Sequence, residues 1–195
     1  MKNKILMLVG LGLILVAILT AMINFYKEEK ANLSSNNILE QVESEIPYVE
    51  KGEKEITPST SAINEMPTIE LGSNSIVGIL EIPTQGLKVP ILSELSNNLL
   101  QIAPCRYTGS VYLDNMILAG HNYQSHFGLL YNITIGEKVI FTTINQDVFF
   151  FEVIQIEYID GNNVTGMLSG DWDLTLFTCT TNGLNRLTLR CKKVE

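Results

Sequence analysis

Only three of the 195 residues are cysteine, and three is an odd number, so this is not a small fold stapled by a disulfide framework. Basic residues are also scarce: 13 Lys and Arg stand against 21 Asp and Glu, for a formal charge of −8. A surface that neutralises phosphates needs the opposite balance, which argues against a nucleic-acid partner. Charge of either sign is thin at 17%, below the usual quarter, so an apolar block must sit somewhere in the chain. Histidine occurs only at His121 and His126, and no Cys/His pair stands at zinc spacing. No metal site and no cofactor is expected. The length suits one domain of ordinary size with a tail or an anchor.

The apolar block is at the start. Residues 5–26, Ile5 to Tyr26, form a run of 22 residues without a charge. As a helix it would span ~33 Å, enough for a hydrocarbon core of ~30 Å. Lys2, Lys4 and the amino terminus precede it, while Lys27-Glu28-Glu29-Lys30 follows and sums to zero. The positive-inside bias puts residues 1–4 in the cytoplasm and everything after the span outside. A cleaved signal peptide is the competing reading. Its apolar region is usually ~7–15 residues with a small-residue exit, and Met22-Ile23-Asn24-Phe25-Tyr26 offers a poor one. The pattern predicts a retained, single-pass signal anchor.

Residues 27–74 read as an acidic, flexible stalk. Between Lys27 and Glu70 there are ten glutamates and four lysines, and Pro47, Pro58 and Pro67 interrupt any long helix. Only Leu39 to Glu45 suggests a short helical piece. From residue 75 the pattern changes to short apolar runs separated by turn residues. Ile76–Ile82, Leu87–Leu92, Tyr107–Leu113, Met116–Ala119, Glu137–Thr143, Val148–Ile159, Trp172–Thr178 and Arg186–Lys192 all suit strands. Leu95–Ile102 and Phe127–Tyr131 suit short helices. Seven or eight strands within residues 75–195 predict an all-β domain, a closed or nearly closed barrel.

Three positions could carry chemistry. Cys179 ends the strand pattern Asp173-Leu174-Thr175-Leu176-Phe177-Thr178 and meets the polar turn Thr180-Thr181-Asn182-Gly183. A thiol placed there is held rigidly yet open to solvent, although a cysteine beside an apolar strand is more often a buried small hydrophobe. His121 is delivered in the same way by Met116-Ile117-Leu118-Ala119-Gly120, with Gly120 permitting close approach. His126 lies in a polar loop and reads as a supporting residue. Arg186 opens the last strand, and period two puts Arg186 and Arg190 on one face, with Leu187, Leu189 and Cys191 on the other. The turn from Cys179 to Arg186 is short enough for a hairpin, which makes Arg186 the nearer arginine. Cys105 and Cys191 read as buried thiols, an extracytoplasmic disulfide being the alternative.

Leu118-Ala119-Gly120-His121, Thr175-Leu176-Phe177-Thr178-Cys179 and the following Arg186 closely resemble the L-A-G-H, T-L-x-T-C and R signatures of sortases. Gly78-Ile79-Leu80-Glu81-Ile82-Pro83, Tyr107-Thr108-Gly109-Ser110 and the membrane anchor extend the likeness over nearly all of residues 75–195. The resemblance implies a closed β-barrel and a membrane-bound cysteine transpeptidase of the Gram-positive cell surface. Such an enzyme cuts an LPxTG-like sorting signal between Thr and Gly and passes the acyl group to a cell-wall or pilin amine. It implies Cys179 as nucleophile, His121 as general acid/base and Arg186 as the oxyanion- or substrate-positioning cation. It also implies Thr178 beside the oxyanion region, the loop Asp160–Asp171 as the grip on the signal's Leu-Pro part, and Ala119, Met167 and Leu168 as apolar wall.

The chemistry is coherent without the family. Cleaving an amide needs a nucleophile, a proton donor for the leaving amine and positive charge near the oxyanion, and a thioester can be captured by another amine. With ordinary pKa values of ~8.5 and ~6.5, about 3% thiolate and about 24% imidazolium exist at pH 7. An aspartate-aromatic lid and a C-terminal membrane helix, frequent in pilus-assembling sortases, are not seen, and the turn after Cys179 is short. The class A or class D types are therefore expected, with wall anchoring as the task. Two rivals differ in class. An L,D-transpeptidase also orders His, Cys and Arg this way but would show an S-x-G-C-like element in place of Phe177-Thr178-Cys179. A membrane-tethered binding barrel with a degenerate site would not need all three signature residues.

Overall fold

The computed structural model describes residues 2–45 and 66–194. A single helix, α1 (Lys2–Glu45), leads into nine strands: β1 (Ile69–Leu71), β2 (Asn74–Ile82), β3 (Leu87–Leu92), β4 (Cys105–Thr108), β5 (Met116–Gly120), β6 (Lys138–Thr143), β7 (Val148–Asp160), β8 (Leu174–Cys179) and β9 (Asn185–Val194). A short helix, α2 (Val164–Leu168), lies between β7 and β8, and 3-10 turns cover Leu99–Gln101 and Gly128–Asn132. The strands run in the order β1-β2-β3-β4-β5-β8-β9-β7-β6, and β6 pairs back onto β2. Strands β2 to β9 thus close an eight-stranded barrel, as expected, with β1 added beside the first residues of β2. Closure removes the free edges that would otherwise template aggregation.

Alternation along the strands sorts side chains into two compartments. Leu118 of β5, Leu174 and Leu176 of β8, and Leu187, Leu189 and Cys191 of β9 fill the barrel interior with Phe141, Phe149 and Phe151. Between them, Ile117, Phe177 and the outward residues of β9 face the outside, where Ile117, Ile159 and Met167 form a small separate cluster with Tyr107 and Phe177. The long strand β7 would break this pattern if it were regular, but its register against β9 shifts between Val153 and Gln155. An extra residue flips the face of everything beyond it. Phe149, Phe151 and Val153 are interior, and after the bulge Gln155, Glu157 and Ile159 pair with the outward residues Arg190, Thr188 and Arg186.

Two sequence-based expectations need correction. The run Tyr107–Leu113 is not one strand: β4 stops at Thr108 and a 3-10 turn covers Val111–Leu113. Gly109, at φ +78°, causes the break, and a Cβ there would lie 2.1 Å from the Asn115 carbonyl oxygen. The stretch after the apolar segment is also not a flexible stalk through residue 45, because α1 continues unbroken to Glu45. No proline or glycine occurs between Leu13 and Glu45, so nothing there ends or kinks a helix. Ala31, Ser35, Ile38 and Val42 recur at helical spacing and are all buried. Ile38 and Val42 pack with Ile76, Ile79, Leu92, Ala103 and Cys105, so a second core forms between α1 and the outer wall of the barrel. Residues 46–65 of the expected stalk lie outside the described residues.

Candidate active site

Three adjacent strands, β5, β8 and β9, deliver the predicted residues to one rim. Parallel pairing of β5 with β8 sets Gly120 opposite Thr178, so His121 follows directly beside Cys179. Antiparallel pairing of β8 with β9 sets Cys179 opposite Arg186. Neighbouring strands lie ~4.8 Å apart, so the backbone at Cys179 has that of His121 on one flank and that of Arg186 on the other. The faces agree as well. Cys179 and Arg186 are a directly paired couple, Phe177 and Thr175 share their outward face, and Ala119 shares it on β5. All three chemistry-bearing residues therefore belong to the outer face of the barrel, above the wall made by Ile117, Phe177 and Met167.

Each is held by a local device. Cys179 is half-buried, and its carbonyl accepts a hydrogen bond from the Tyr131 hydroxyl at 3.4 Å. His121 sits at the mouth of a tight loop in which Phe127 N–H donates to the His121 carbonyl at 3.0 Å and Gly128 N–H donates to Tyr123 at 2.8 Å. Gly120 is required because a Cβ there would lie 2.6 Å from the buried Phe127 ring. The His121 ring stands 4.9 Å from that of Tyr123, and burial pulls its pKa below the usual histidine value. Arg186 donates to the carbonyls of Gly183 at 3.0 Å and Asn185 at 3.2 Å. Its guanidinium also lies beside Gly161, where a Cβ would stand 3.0 Å from it.

His126 supports this loop from beneath. It is fully buried, and neither ring nitrogen has a hydrogen-bond partner among the described residues. Burial, and then the nearby His121, push its pKa down to about 4, opposed by the carbonyls of Ile102 and Ala31. It is neutral at pH 7. Cys105 and Cys191 are free, buried thiols belonging to different cores. Burial raises the Cys105 thiol to about 12 and also pushes the Cys191 thiol up.

The other expected contacts divide. Ala119 and Met167 are buried on the outer face, and Leu168 is 51% exposed at the end of α2. Thr178 pairs with the interior residue Leu187 and is fully buried, its hydroxyl without a partner among the described residues. Its side chain faces away from Cys179, so only its main chain can reach the site. Sequence reading did not single out Tyr107, Phe177, Ile159 or Gly161. Tyr107 and Phe177 meet edge to face at 5.6 Å, and the period-two match of Phe177 with Cys179 was the available signal.

Arg190 fixes the loop on this side. It is 2% exposed, and it donates to Glu157 at 2.7 Å, to Thr175 at 3.1 Å, and to the carbonyls of Met167 at 2.9 Å and Gly166 at 2.7 Å. The last two are carbonyls of α2, so the buried guanidinium bolts this helix to the barrel wall.

A protein-family model described as the sortase domain matches residues 80–194. No curated protein matches the chain. Among solved structures, sortase C1 of Streptococcus agalactiae is 24% identical with a TM-score of 0.57, covering 72% of this chain and 79% of that one. Sortase C of Clostridium perfringens SM101 is 23% identical with a TM-score of 0.54, covering 65% of this chain and 73% of that one. Sortase A of Listeria monocytogenes is 18% identical with a TM-score of 0.56, covering 62% of this chain and 88% of that one. The scores do not separate the classes, and such likenesses speak for the barrel alone. The family model spans more than half of the sequence and takes in every strand from β3 to β9: the chain belongs to the sortase family.

Proposed function

We propose that this protein is a membrane-anchored sortase in which Cys179, His121 and Arg186 transfer a secreted protein from an LPxTG-like sorting signal to a cell-wall amine. The observation that carries this reading is the strand register, which gathers the three residues on one outward rim. The Cys179 thiolate attacks the Thr carbonyl carbon of the signal. A C–S bond forms, the C–N bond to Gly breaks, and the departing amine takes its proton from the His121 imidazolium. The acceptor amine then attacks the thioester, yields its proton to His121, and releases the Cys179 sulfur.

Arg186 supplies positive charge to the oxyanion in both steps. Its hydrogen bonds to Gly183 and Asn185 use one nitrogen, so the rest of the fork is available to a substrate oxygen. Ala119, Met167 and Leu168 line the apolar side, with α2 facing the Leu-Pro part of the signal. Residues 5–26 anchor the enzyme, with residues 1–4 cytoplasmic and the barrel outside. The apolar run of α1 supports the anchor, since none of its most hydrophobic window is buried against the protein.

The full chain in nanodiscs, incubated with LPxTG-like peptides and candidate amines and read by mass spectrometry, tests the proposal. The expected result is a ligated peptide together with a thioester adduct on Cys179, both lost in Cys179→Ala. Unchanged turnover in Cys179→Ala, or cross-linked peptidoglycan tetrapeptides as the product, would refute it.

A further inference from the structure

The apolar run of α1 ends at Tyr26, but the helix does not. Its next turns lie against the barrel, with Ala31, Ser35, Ile38 and Val42 buried. Polar clamps hold both ends of this docked portion. Glu28 accepts a hydrogen bond from the Gln124 N–H at 2.9 Å, and Glu43 pairs with Lys88 at 2.7 Å. The clamps are ~22 Å apart along the axis, so they fix the tilt of the helix as well as its position. The first of them is on the loop that starts at His121. Gln124 and Ser125 share a concavity with Phe25 from the apolar run and with Glu28, Glu29 and Asn32. Below this loop, the backbone carbonyl of Ala31 faces the buried ring of His126.

This arrangement sets a height. Glu28 lies two residues past the end of the apolar run, ~3 Å along the helix axis. The headgroup layer on each side of a bilayer is ~5–8 Å thick. A helix without proline or glycine across residues 13–45 transmits that position stiffly to the barrel. Resting on the reading of residues 5–26 as a membrane span, we infer that residues 27–45 are a rigid strut and that the Asn122–Ser125 loop is an interaction surface for the lipid headgroup layer. The His121 end of the rim is thereby held at the bilayer surface. Lys27-Glu28-Glu29-Lys30 carries no net charge, so the placement comes from the helix and not from attraction to anionic lipid.

The test uses the full chain in phosphatidylcholine nanodiscs with a photo-reactive benzophenone amino acid in place of exposed Gln124. The hydrogen bond to Glu28 comes from the backbone N–H of Gln124, so the docking bond is kept. A second protein carries in addition a flexible Gly/Ser insertion of about 12 residues between Tyr26 and Lys27, which frees the domain over ~17–21 Å without touching the docked segment. The first protein should form lipid adducts, also at high salt, and the insertion should reduce them at least about fivefold with no change in thermal midpoint. Equal adduct yields in the two proteins, or none in either, would overturn the strut. Turnover of a soluble sorting-signal peptide is read in parallel and should be the same in both. Its absence from both would count against the transpeptidase reading, while the adducts would still report on the strut.

Discussion

Arg190 is 2% exposed and commits its guanidinium to Glu157, Thr175 and two carbonyls of α2, whereas Arg186, four residues earlier on the same face of β9, is half-buried and among the described residues bonds only to the carbonyls of Gly183 and Asn185. The two side chains are chemically identical, and their surroundings give them different work. Around Arg186 the strand ends open into turns, and the guanidinium can exchange one carbonyl for a substrate oxygen at little cost. Around Arg190 every exchange would strand a buried donor or a buried carbonyl. On the proposed mechanism the rim thus has an adaptable end, at the oxyanion, and a locked side, at the signal's apolar residues.

Breaking the adaptable end should have the largest effect. Arg186→Ala is expected to lower kcat/KM for a sorting-signal peptide by at least about 10²–10³-fold while moving the thermal midpoint little. Near wild-type turnover would remove Arg186 from the oxyanion role. The locked side should respond in the opposite sense. Arg190→Met leaves Glu157 and the α2 carbonyls unpaired and should cost about 3 kcal/mol of folding stability, read by urea denaturation. In the fraction that folds, KM should rise more than kcat falls, with partial recovery in Arg190→Lys. A loss confined to kcat would place Arg190 in the chemistry and dissolve the contrast.

The two histidines sharpen the same comparison. His121 is half-buried at the rim, and His126 is sealed beneath it with its pKa near 4. Because the folded value lies below the ordinary one of about 6.5, the unfolded chain binds more protons between those two pH values. Stability is therefore complete above about pH 6.5 and is lost as pH falls toward 4, by about 3 kcal/mol in all. His126→Phe should flatten that acid limb in denaturant titrations, and an unchanged limb would show that another group produces it. The smallest effect is expected at the outer clamp of α1. Glu43→Gln weakens a partly exposed ion pair and should cost no more than about 1 kcal/mol, with unaltered peptide turnover.

Much of the site was legible because strand chemistry is local. The run Leu118-Ala119-Gly120-His121 and the alternation Arg186-Leu187-Thr188-Leu189-Arg190 already state which residues end a strand and which share a face. The docked half of α1 was harder to read, since its buried stripe contains alanine and serine alongside only two large aliphatics, Ile38 and Val42. A stripe that weak looks like a solvated spacer until a barrel wall is placed against it. Thr178 makes a related point: it adjoins Cys179 in sequence, but period two turns its side chain into the interior and leaves only its main chain beside the thiol.

The sequence by itself determined the strands, the apolar span and the three residues that end up on one rim, because each depends on spacing within a short segment. Tertiary structure decided the rest. The bulge after Val153 turns Glu157 and Ile159 outward to meet Arg190 and Arg186, and no local pattern announces it. Barrel closure, the anchoring of α2 and the seating of α1 over His126 likewise depend on surfaces brought together from distant parts of the chain, whose complementarity exists only once the whole has folded.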